Sequence, residues 1–166
     1  MKNKYLVIFD RDGVINSKSR NSEGYVLSVA ELELNLRMIA FIVTLQDMGI
    51  LIAVATNQQC VGKLLISESG LNLIHDQINH AITHCGGKEI KFFVCRHLIG
   101  DKCQCRKPKP GLLTAAIDFF HVQRNRVIFV GDALSDEEAA RNVSVSFIMH
   151  RGDQEKTEQR VLTLIA

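Results

Sequence analysis

The chain is organised around the stretch Leu6-Val7-Ile8-Phe9-Asp10-Arg11-Asp12-Gly13-Val14. Its four leading apolar residues, which include β-branched and aromatic types, predict a buried strand. Two carboxylates, Asp10 and Asp12, follow the strand two positions apart. Ligands of open parallel sheets bind outside the carboxyl ends of the strands, so we expect both side chains to project into a crevice. An acidic turn is the simpler interpretation of these residues alone, and the rest of the chain decides between the two.

Helical and strand patterns alternate along the rest of the chain. Short apolar runs predict strands at 50–55, 90–94, 126–130 and 145–149. Apolar residues at helical spacing predict helices at 35–48, 67–85, 110–120 and 154–165, with a short helix after Asp136. Such alternation is typical of a parallel sheet with helices on both faces. We therefore predict one Rossmann-like α/β domain over residues 1–166, with about five or more strands and no large cap domain.

Composition excludes several classes of protein. Of 166 residues, 46% are hydrophobic, which suffices for a packed core, and the 20 basic and 18 acidic residues nearly cancel. No basic block of the kind that binds nucleic acid is present, and no apolar run reaches the ~20 residues that span a bilayer. The first apolar run is also too short for a signal peptide. We expect a cytoplasmic monomer that binds neither nucleic acid nor a membrane.

Polar clusters follow four of the predicted strands at the same end of the sheet. They are Asp10 with Asp12, Thr56 with Asn57, the run 106–109 (Arg-Lys-Pro-Lys), and Asp132 with Asp136. Carboxylates that converge on one crevice repel one another unless a cation neutralises them, and ligation by oxygen alone favours Mg²⁺. A hydroxyl, an amide and a lysine complete a cradle for a tetrahedral anion. Together the clusters indicate phosphoryl transfer.

A second metal site is predicted from four residues in the loop that follows the third strand. Cys95, His97, Cys103 and Cys105 supply three thiolates and one imidazole within eleven residues. This donor set is typical of structural zinc, because all four positions of a tetrahedral ion are filled by protein. The alternative is a loose group of free cysteines. Bound zinc would fold the loop and so fix Arg106 and Lys107, which follow it directly.

The four clusters resemble, in order and spacing, the motifs of the haloacid dehalogenase superfamily. The resemblance covers roughly residues 5–150 and implies that Asp10 is a nucleophile forming an aspartyl-phosphate. It further implies that Asp12 protonates the leaving alkoxide and later deprotonates water. Thr56 and Lys107 would bind the phosphoryl oxygens. The implied Mg²⁺ ligands are Asp10, the backbone carbonyl of Asp12, Asp132, and Asp136 either directly or through a hydrogen bond.

The zinc loop followed by Cys105-Arg-Lys-Pro-Lys-Pro-Gly111 narrows the resemblance to one branch of that superfamily. The branch comprises heptose 1,7-bisphosphate phosphatases and histidinol-phosphate phosphatases. The stretch from Asp10 to Asn16 is closer to the heptose group, whereas the five-residue zinc spacing also occurs in the histidinol group. A small phosphorylated sugar is the expected substrate, histidinol phosphate is the alternative, and a non-catalytic descendant that binds a sugar phosphate or a partner protein is a third possibility. The expected substrate-binding residues are Lys18, Arg20, Asn57, Gln58 and Arg106.

The basic residues Lys18 and Arg20 lie in a polar loop over residues 16–28, which from composition alone is equally well read as an ordinary solvated loop. The chain also departs from the family pattern at Cys60 and Leu64, where glycine is expected. Because glycine tolerates positive φ and close approach to a ligand, this departure leaves the substrate-side geometry open.

Several reactive side chains lie outside these clusters. Cys60 and Cys85 are not part of the zinc set, and we expect both to serve as small buried hydrophobes. His75, His80 and His84 lie on the second predicted helix, where surface or boundary positions are expected.

Overall fold

Five parallel strands form one sheet in the computed structural model, which describes residues 4–166. Residues 1–3, which the predicted domain includes, lie outside the described part. The strands are β1 (Leu6–Phe9), β2 (Leu51–Asn57), β3 (Lys91–Cys95), β4 (Val127–Gly131) and β5 (Ser146–Met149). Their order in the sheet is β3-β2-β1-β4-β5. The predicted parallel α/β fold is therefore confirmed, and its most apolar strand, β1, is central.

Six helices cover the two faces of this sheet within residues 4–166. They are α1 (Leu36–Asp47), α2 (Gln59–Gly62), α3 (Glu68–His84), α4 (Gly111–Phe120), α5 (Leu134–Val143) and α6 (Gln154–Ile165). The buried residues of α1, α3 and α6 pack with Val7 and Phe9 on one face, and those of α4 and α5 pack with Leu6 and Ile8 on the other. The side chains of β1 alternate between the two cores because successive strand residues point to opposite faces. Helices on both faces were predicted and are confirmed.

Local signals set most of the element ends. The Ser67 side chain accepts a hydrogen bond from the Gly70 backbone and so caps α3, as expected for serine before a helix. Asn35 caps α1 in the same way. The single-turn helix α2 was not predicted, because four residues are too few to show a helical period. Within the described residues the connections contain helices, turns and loops, and no inserted cap domain.

The strand order places a topological switch point between β1 and β4. The chain runs outward from β1 through β2 to β3, and then crosses to β4 on the other side of β1 and continues to β5. Loops that leave the carboxyl ends of two such strands diverge, which opens a crevice between them. Asp10 follows β1 and Asp132 follows β4 at this crevice.

Among the described residues no helix is long and apolar enough to cross a membrane.

Candidate active site

A buried lysine joins two carboxylates at the switch point. Lys107 Nζ lies 2.9 Å from Asp10 Oδ1 and 2.6 Å from Asp136 Oδ1. The same ammonium donates a hydrogen bond to the backbone carbonyl of Ala55 at 2.9 Å. Lys107 is 4% exposed, so its charge is satisfied by protein groups. The structure thus brings together three residues that are far apart in the sequence and that we predicted to share one site.

Burial controls the ionisation of this group. It raises the pKa of Asp10 to about 7; Lys107 opposes the shift and the charge of Asp136 adds to it. Burial also opposes the charge of Lys107, but Asp10 and Asp136 outweigh it and hold the pKa of this lysine above its ordinary value. A cation bound beside Asp10 would favour the carboxylate over the neutral acid.

Three carboxylates converge where the Mg²⁺ site was predicted. Oxygens of Asp10, Asp132 and Asp136 lie within 4.8 Å of one another. Octahedral Mg²⁺ with bonds of about 2.1 Å requires adjacent oxygens about 3 Å apart, so small adjustments suffice and the donor set fits this ion. The side chain of Asp12 does not belong to the group. The contribution expected from its backbone carbonyl therefore stays a prediction.

Asp132 is held from two sides. Its Oδ2 pairs with Lys18 Nζ at 2.6 Å, so this predicted substrate-binding lysine contacts a predicted metal ligand. Its carboxylate also packs against Gly13, whose φ is +85° and where an added Cβ would overlap Asp132 Oδ2. Asp136 Oδ2 accepts hydrogen bonds from the backbone N–H groups of Asp132 and Ala133 at 3.1 Å, which fixes the turn after β4.

Asp12 is oriented by three donors. Arg11 Nη2 donates to both of its oxygens at 2.8 and 3.0 Å, Asn16 Nδ2 donates to Oδ1 at 2.9 Å, and Gln58 Nε2 donates to Oδ2 at 2.7 Å. Although burial opposes it, the Arg11 guanidinium holds the pKa of Asp12 below its ordinary value. The side chain of Asp12 stays 25% exposed and faces the crevice.

A cavity of about 220 Å³ opens above these carboxylates. Two of the predicted substrate-binding residues, Lys18 and Asn57, line it together with Thr56. Asn57 also fixes the base of the cavity, because its amide exchanges two hydrogen bonds with the backbone of Lys107, at 3.0 and 3.1 Å. Sequence reasoning missed Tyr25 and Ser135 as lining residues. Tyr25 lies in a loop whose path the sequence does not reveal.

The other three predicted substrate-binding residues lie off the cavity wall. Gln58 is fully buried and donates to Asp12 and Thr56, so it orients both side chains, and its contact with substrate stays a prediction. Arg20 is exposed on the loop after β1. Arg106 is half-buried, and its Nη1 has no hydrogen-bond partner within residues 4–166.

The four predicted zinc ligands also converge. Cys95 Sγ lies 3.6 Å from His97 Nδ1 and 3.7 Å from Cys103 Sγ, and His97 Nδ1 lies 3.1 Å from Cys105 Sγ. Zn–S bonds of about 2.3 Å in a tetrahedron place sulfur atoms about 3.8 Å apart, so the spacing and the donor set fit zinc. Burial, together with a hydrogen bond to Cys105, raises the pKa of Cys95 to about 12. Zinc binding would therefore release protons.

The two positions that depart from the glycine pattern behave differently. Leu64 has a φ of +58° and is 90% exposed, so a residue with a Cβ adopts the left-handed conformation that glycine favours. Cys60 is fully buried in α2, as expected.

The other reactive side chains are exposed or buried as follows. Cys85 is exposed, so the expectation that it is buried was wrong. His80 and His84 are exposed as expected, but His75 is buried.

The parallel sheet and the acidic crevice at its switch point are those of a Rossmann-like α/β domain with a candidate site for a divalent cation. Residues 20–150 match the family model of the haloacid dehalogenase-like hydrolases, and the chain belongs to this family. It is 36% identical over 137 residues to the D-glycero-beta-D-manno-heptose-1,7-bisphosphate 7-phosphatase of Neisseria meningitidis, a match that covers 81% of this chain and 70% of that protein.

A solved structure and a second relative are also similar. The crystal structure of D,D-heptose 1,7-bisphosphate phosphatase from B. bronchiseptica, complexed with magnesium and phosphate, has a TM-score of 0.83 and 32% identity and covers 96% of this chain and 87% of that chain. The histidine biosynthesis bifunctional protein of Legionella pneumophila is 28% identical over 145 residues, which is 87% of this chain and 41% of that protein.

The contact between Gly13 and Asp132 yields a prediction. Gly13→Ala adds a Cβ that displaces the Asp132 carboxylate, so we expect the Mg²⁺ concentration for half-maximal phosphatase activity to rise about 10- to 100-fold. A magnesium titration at saturating substrate measures this shift.

Gly49→Ala is the matched control, because Gly49 also has positive φ but an added Cβ meets nothing within 4 Å. Backbone strain of about 1–2 kcal/mol is expected in both variants. An equal rise of the magnesium requirement in both would show that strain, and not displacement of Asp132, is the cause.

Proposed function

We propose that this chain is a Mg²⁺-dependent phosphatase that removes a phosphate from a small phosphorylated sugar, the 7-phosphate of D-glycero-D-manno-heptose 1,7-bisphosphate. The observation that carries the proposal is Asp10, fixed by Lys107 at the bottom of a cavity whose walls supply the hydroxyl of Thr56 and the carboxylate of Asp132. The relatives named as heptose bisphosphate phosphatases supply the choice of sugar.

The first step transfers the phosphoryl group to Asp10. One Asp10 oxygen bonds to phosphorus as the bond between phosphorus and the sugar oxygen breaks, and Asp12 gives a proton to the departing oxygen. Because Arg11 holds the pKa of Asp12 below its ordinary value in the protein without substrate, Asp12 must gain this proton before the step. Mg²⁺ held by Asp10, Asp132 and Asp136 would offset the negative charge of the carboxylates and of the phosphoryl oxygens.

The second step regenerates the enzyme. Water attacks phosphorus, Asp12 accepts one of its protons, and the Asp10 carboxylate departs as inorganic phosphate is released. Lys107 and Thr56 hold the phosphoryl oxygens in both steps. Asp132 and Asp136 place two further carboxylates beside Asp10, and this excess of negative charge would require a bound cation before a phosphate could approach.

The zinc loop, residues 95–105, positions Lys107 in the site. Cys103 and Cys105 lie immediately before Arg106 and Lys107, and the Lys109 ammonium donates to the backbone carbonyls of Lys102 and Cys103. We propose that Zn²⁺ held by Cys95, His97, Cys103 and Cys105 is structural, since protein ligands fill all four positions.

Substrate selection depends on three loops, 16–25, 57–64 and 95–107, because within residues 4–166 no cap covers the crevice. Lys18, Arg20 and Arg106 offer positive charge for a second phosphate of a bisphosphate. Histidinol phosphate is the second candidate. It is favoured by the similarity to the histidine biosynthesis protein and by the five-residue zinc spacing.

A comparison of purified substrates tests the proposed reaction. With Mg²⁺, we expect kcat/KM on heptose 1,7-bisphosphate to exceed that on histidinol phosphate by about 100-fold or more, a difference that requires about 2.7 kcal/mol of differential binding.

Asp10→Asn should lower kcat by on the order of 10³-fold or more, since the amide cannot form the phosphoryl intermediate.

Circular dichroism and thermal unfolding of Asp10→Asn provide the control. The variant is expected to fold as the wild type does, because Lys107 keeps its contact with Asp136. Turnover of neither substrate would contradict the proposed function. Near-normal turnover by folded Asp10→Asn would contradict the nucleophile.

Zinc content and zinc removal form a separate prediction. The purified chain is expected to hold about one zinc ion, because three thiolates and one imidazole fill a tetrahedral site. Removing that ion with a chelator and then supplying Mg²⁺ alone should lower the melting temperature and leave little activity, because the loop before Lys107 loses its cross-link.

Cys103→Ser should reproduce the loss of zinc, measured by elemental analysis, whereas Cys85→Ser should not. Cys85 is an exposed thiol outside the cluster and therefore controls for the loss of any cysteine. Full activity and unchanged stability of zinc-free protein would disprove the structural role.

A further inference from the structure

Arg11 is the largest fully buried side chain among the described residues, although it carries a charge. Its one carboxylate partner among these residues is Asp12. Nη2 donates to both Asp12 oxygens, at 2.8 and 3.0 Å, and Nε donates to Oδ1 at 3.2 Å. A guanidinium has five N–H donors, and a buried donor without an acceptor is costly. The acceptor that faces the remaining Nη1 is Nε2 of His75, at 3.4 Å.

His75 is held on the opposite side of Arg11 by packing. It lies on α3 and is 6% exposed, and its ring stacks on Phe92 of β3 with centroids 4.1 Å apart and planes inclined by 10°. Because a guanidinium only donates, His75 Nε2 must be the acceptor and Nδ1 must carry the proton. Burial, with the charge of Arg11 adding to it, lowers the pKa of His75 to about 3, so the ring stays neutral.

We infer that His75 is a positioning residue for Asp12: it fixes the Arg11 guanidinium from behind so that Arg11 presents its other edge to both Asp12 oxygens. The inference rests on the proposed function, because it assigns His75 to the proton transfer that Asp12 performs there. His75 lies 64 positions from Arg11 in the sequence and does not line the cavity, so its influence on the reaction passes through Arg11.

The same contacts show why Asn16 and Gln58 do not replace this support. Each donates to one oxygen of Asp12 from a different side, whereas Arg11 spans both oxygens and sets the plane of the carboxylate. A guanidinium that loses its rear acceptor can rotate about its side-chain bonds toward another acceptor. Asp12 would then keep its charge and its place in the sequence but lose the orientation that proton transfer requires.

Two phosphate esters with different leaving groups test this role. p-Nitrophenyl phosphate releases a stable phenolate that needs little protonation, whereas heptose bisphosphate releases a basic alkoxide. His75→Leu removes the acceptor at similar size, so we expect kcat on heptose bisphosphate to fall about 10- to 100-fold, kcat on p-nitrophenyl phosphate to change less than about threefold, and both KM values to stay within about threefold. His75→Gln keeps an acceptor and should restore most of the loss.

His80→Leu is the matched control, because His80 lies on the same helix but is exposed, and it should leave both rates unchanged. Activities are compared at a temperature where thermal unfolding shows every variant folded. An equal fall on both substrates, or no fall in His75→Leu, would overturn the positioning role.

A readout without turnover separates this inference from the proposed function. In ¹⁵N NMR spectra, the Arg11 Nε–H signal should exchange slowly with water in the wild type and in His75→Gln, and should be lost or exchange rapidly in His75→Leu. An unchanged signal in His75→Leu would overturn the inference whatever the enzyme hydrolyses. A wild type inactive on both esters would instead contradict the proposed function and leave the NMR result to decide whether His75 holds the Arg11 guanidinium on Asp12.

Discussion

The ammonium of Lys107 is the contact on which the rest of the site depends. It is buried between Asp10 and Asp136 and hydrogen-bonded to the backbone of Ala55, so it ties together the loop after β1, strand β2 and helix α5. Removing one partner of such a buried ion pair generally costs about 3–5 kcal/mol, since the remaining charge is left without compensation. The lysine therefore stabilises the arrangement of the carboxylates and holds positive charge where a phosphoryl group would develop negative charge.

Two supports keep Lys107 in place. Asn57 exchanges two hydrogen bonds with its backbone, which links the end of β2 to the loop that carries the lysine. On the other side, the cluster of Cys95, His97, Cys103 and Cys105 precedes it directly and has the spacing of a tetrahedral site. The apolar residues Leu98 and Ile99 of this loop are exposed and supply little core, so an ion bound by the cluster would stabilise the loop.

Much of this arrangement could be predicted from the sequence, because the signals are local. The apolar run of β1 and the alternation of helices and strands specify a parallel sheet, and a parallel sheet brings the residues after its strands to one edge. The contacts across the chain could not be predicted in this way. The burial of Gln58 under Asp12 and of His75 against Phe92 depends on how α2 and α3 pack on the sheet, and no local pattern reports that packing. The pairing of the exposed Lys18 with Asp132 was likewise not predictable, because it depends on the path of the loop after β1.

The central claim is that Asp10 becomes covalently phosphorylated, and acid quenching during turnover tests it most directly. Heptose bisphosphate labelled with ³²P at the 7-position is mixed with the protein and Mg²⁺, the reaction is stopped in acid within milliseconds, and the peptides are analysed by mass spectrometry. The account predicts one acid-stable, base-labile phosphoryl group on the peptide that contains Asp10 in the wild type, and none on that peptide in Asp10→Asn. Steady release of phosphate by the wild type with no phosphoryl group on that peptide would contradict it.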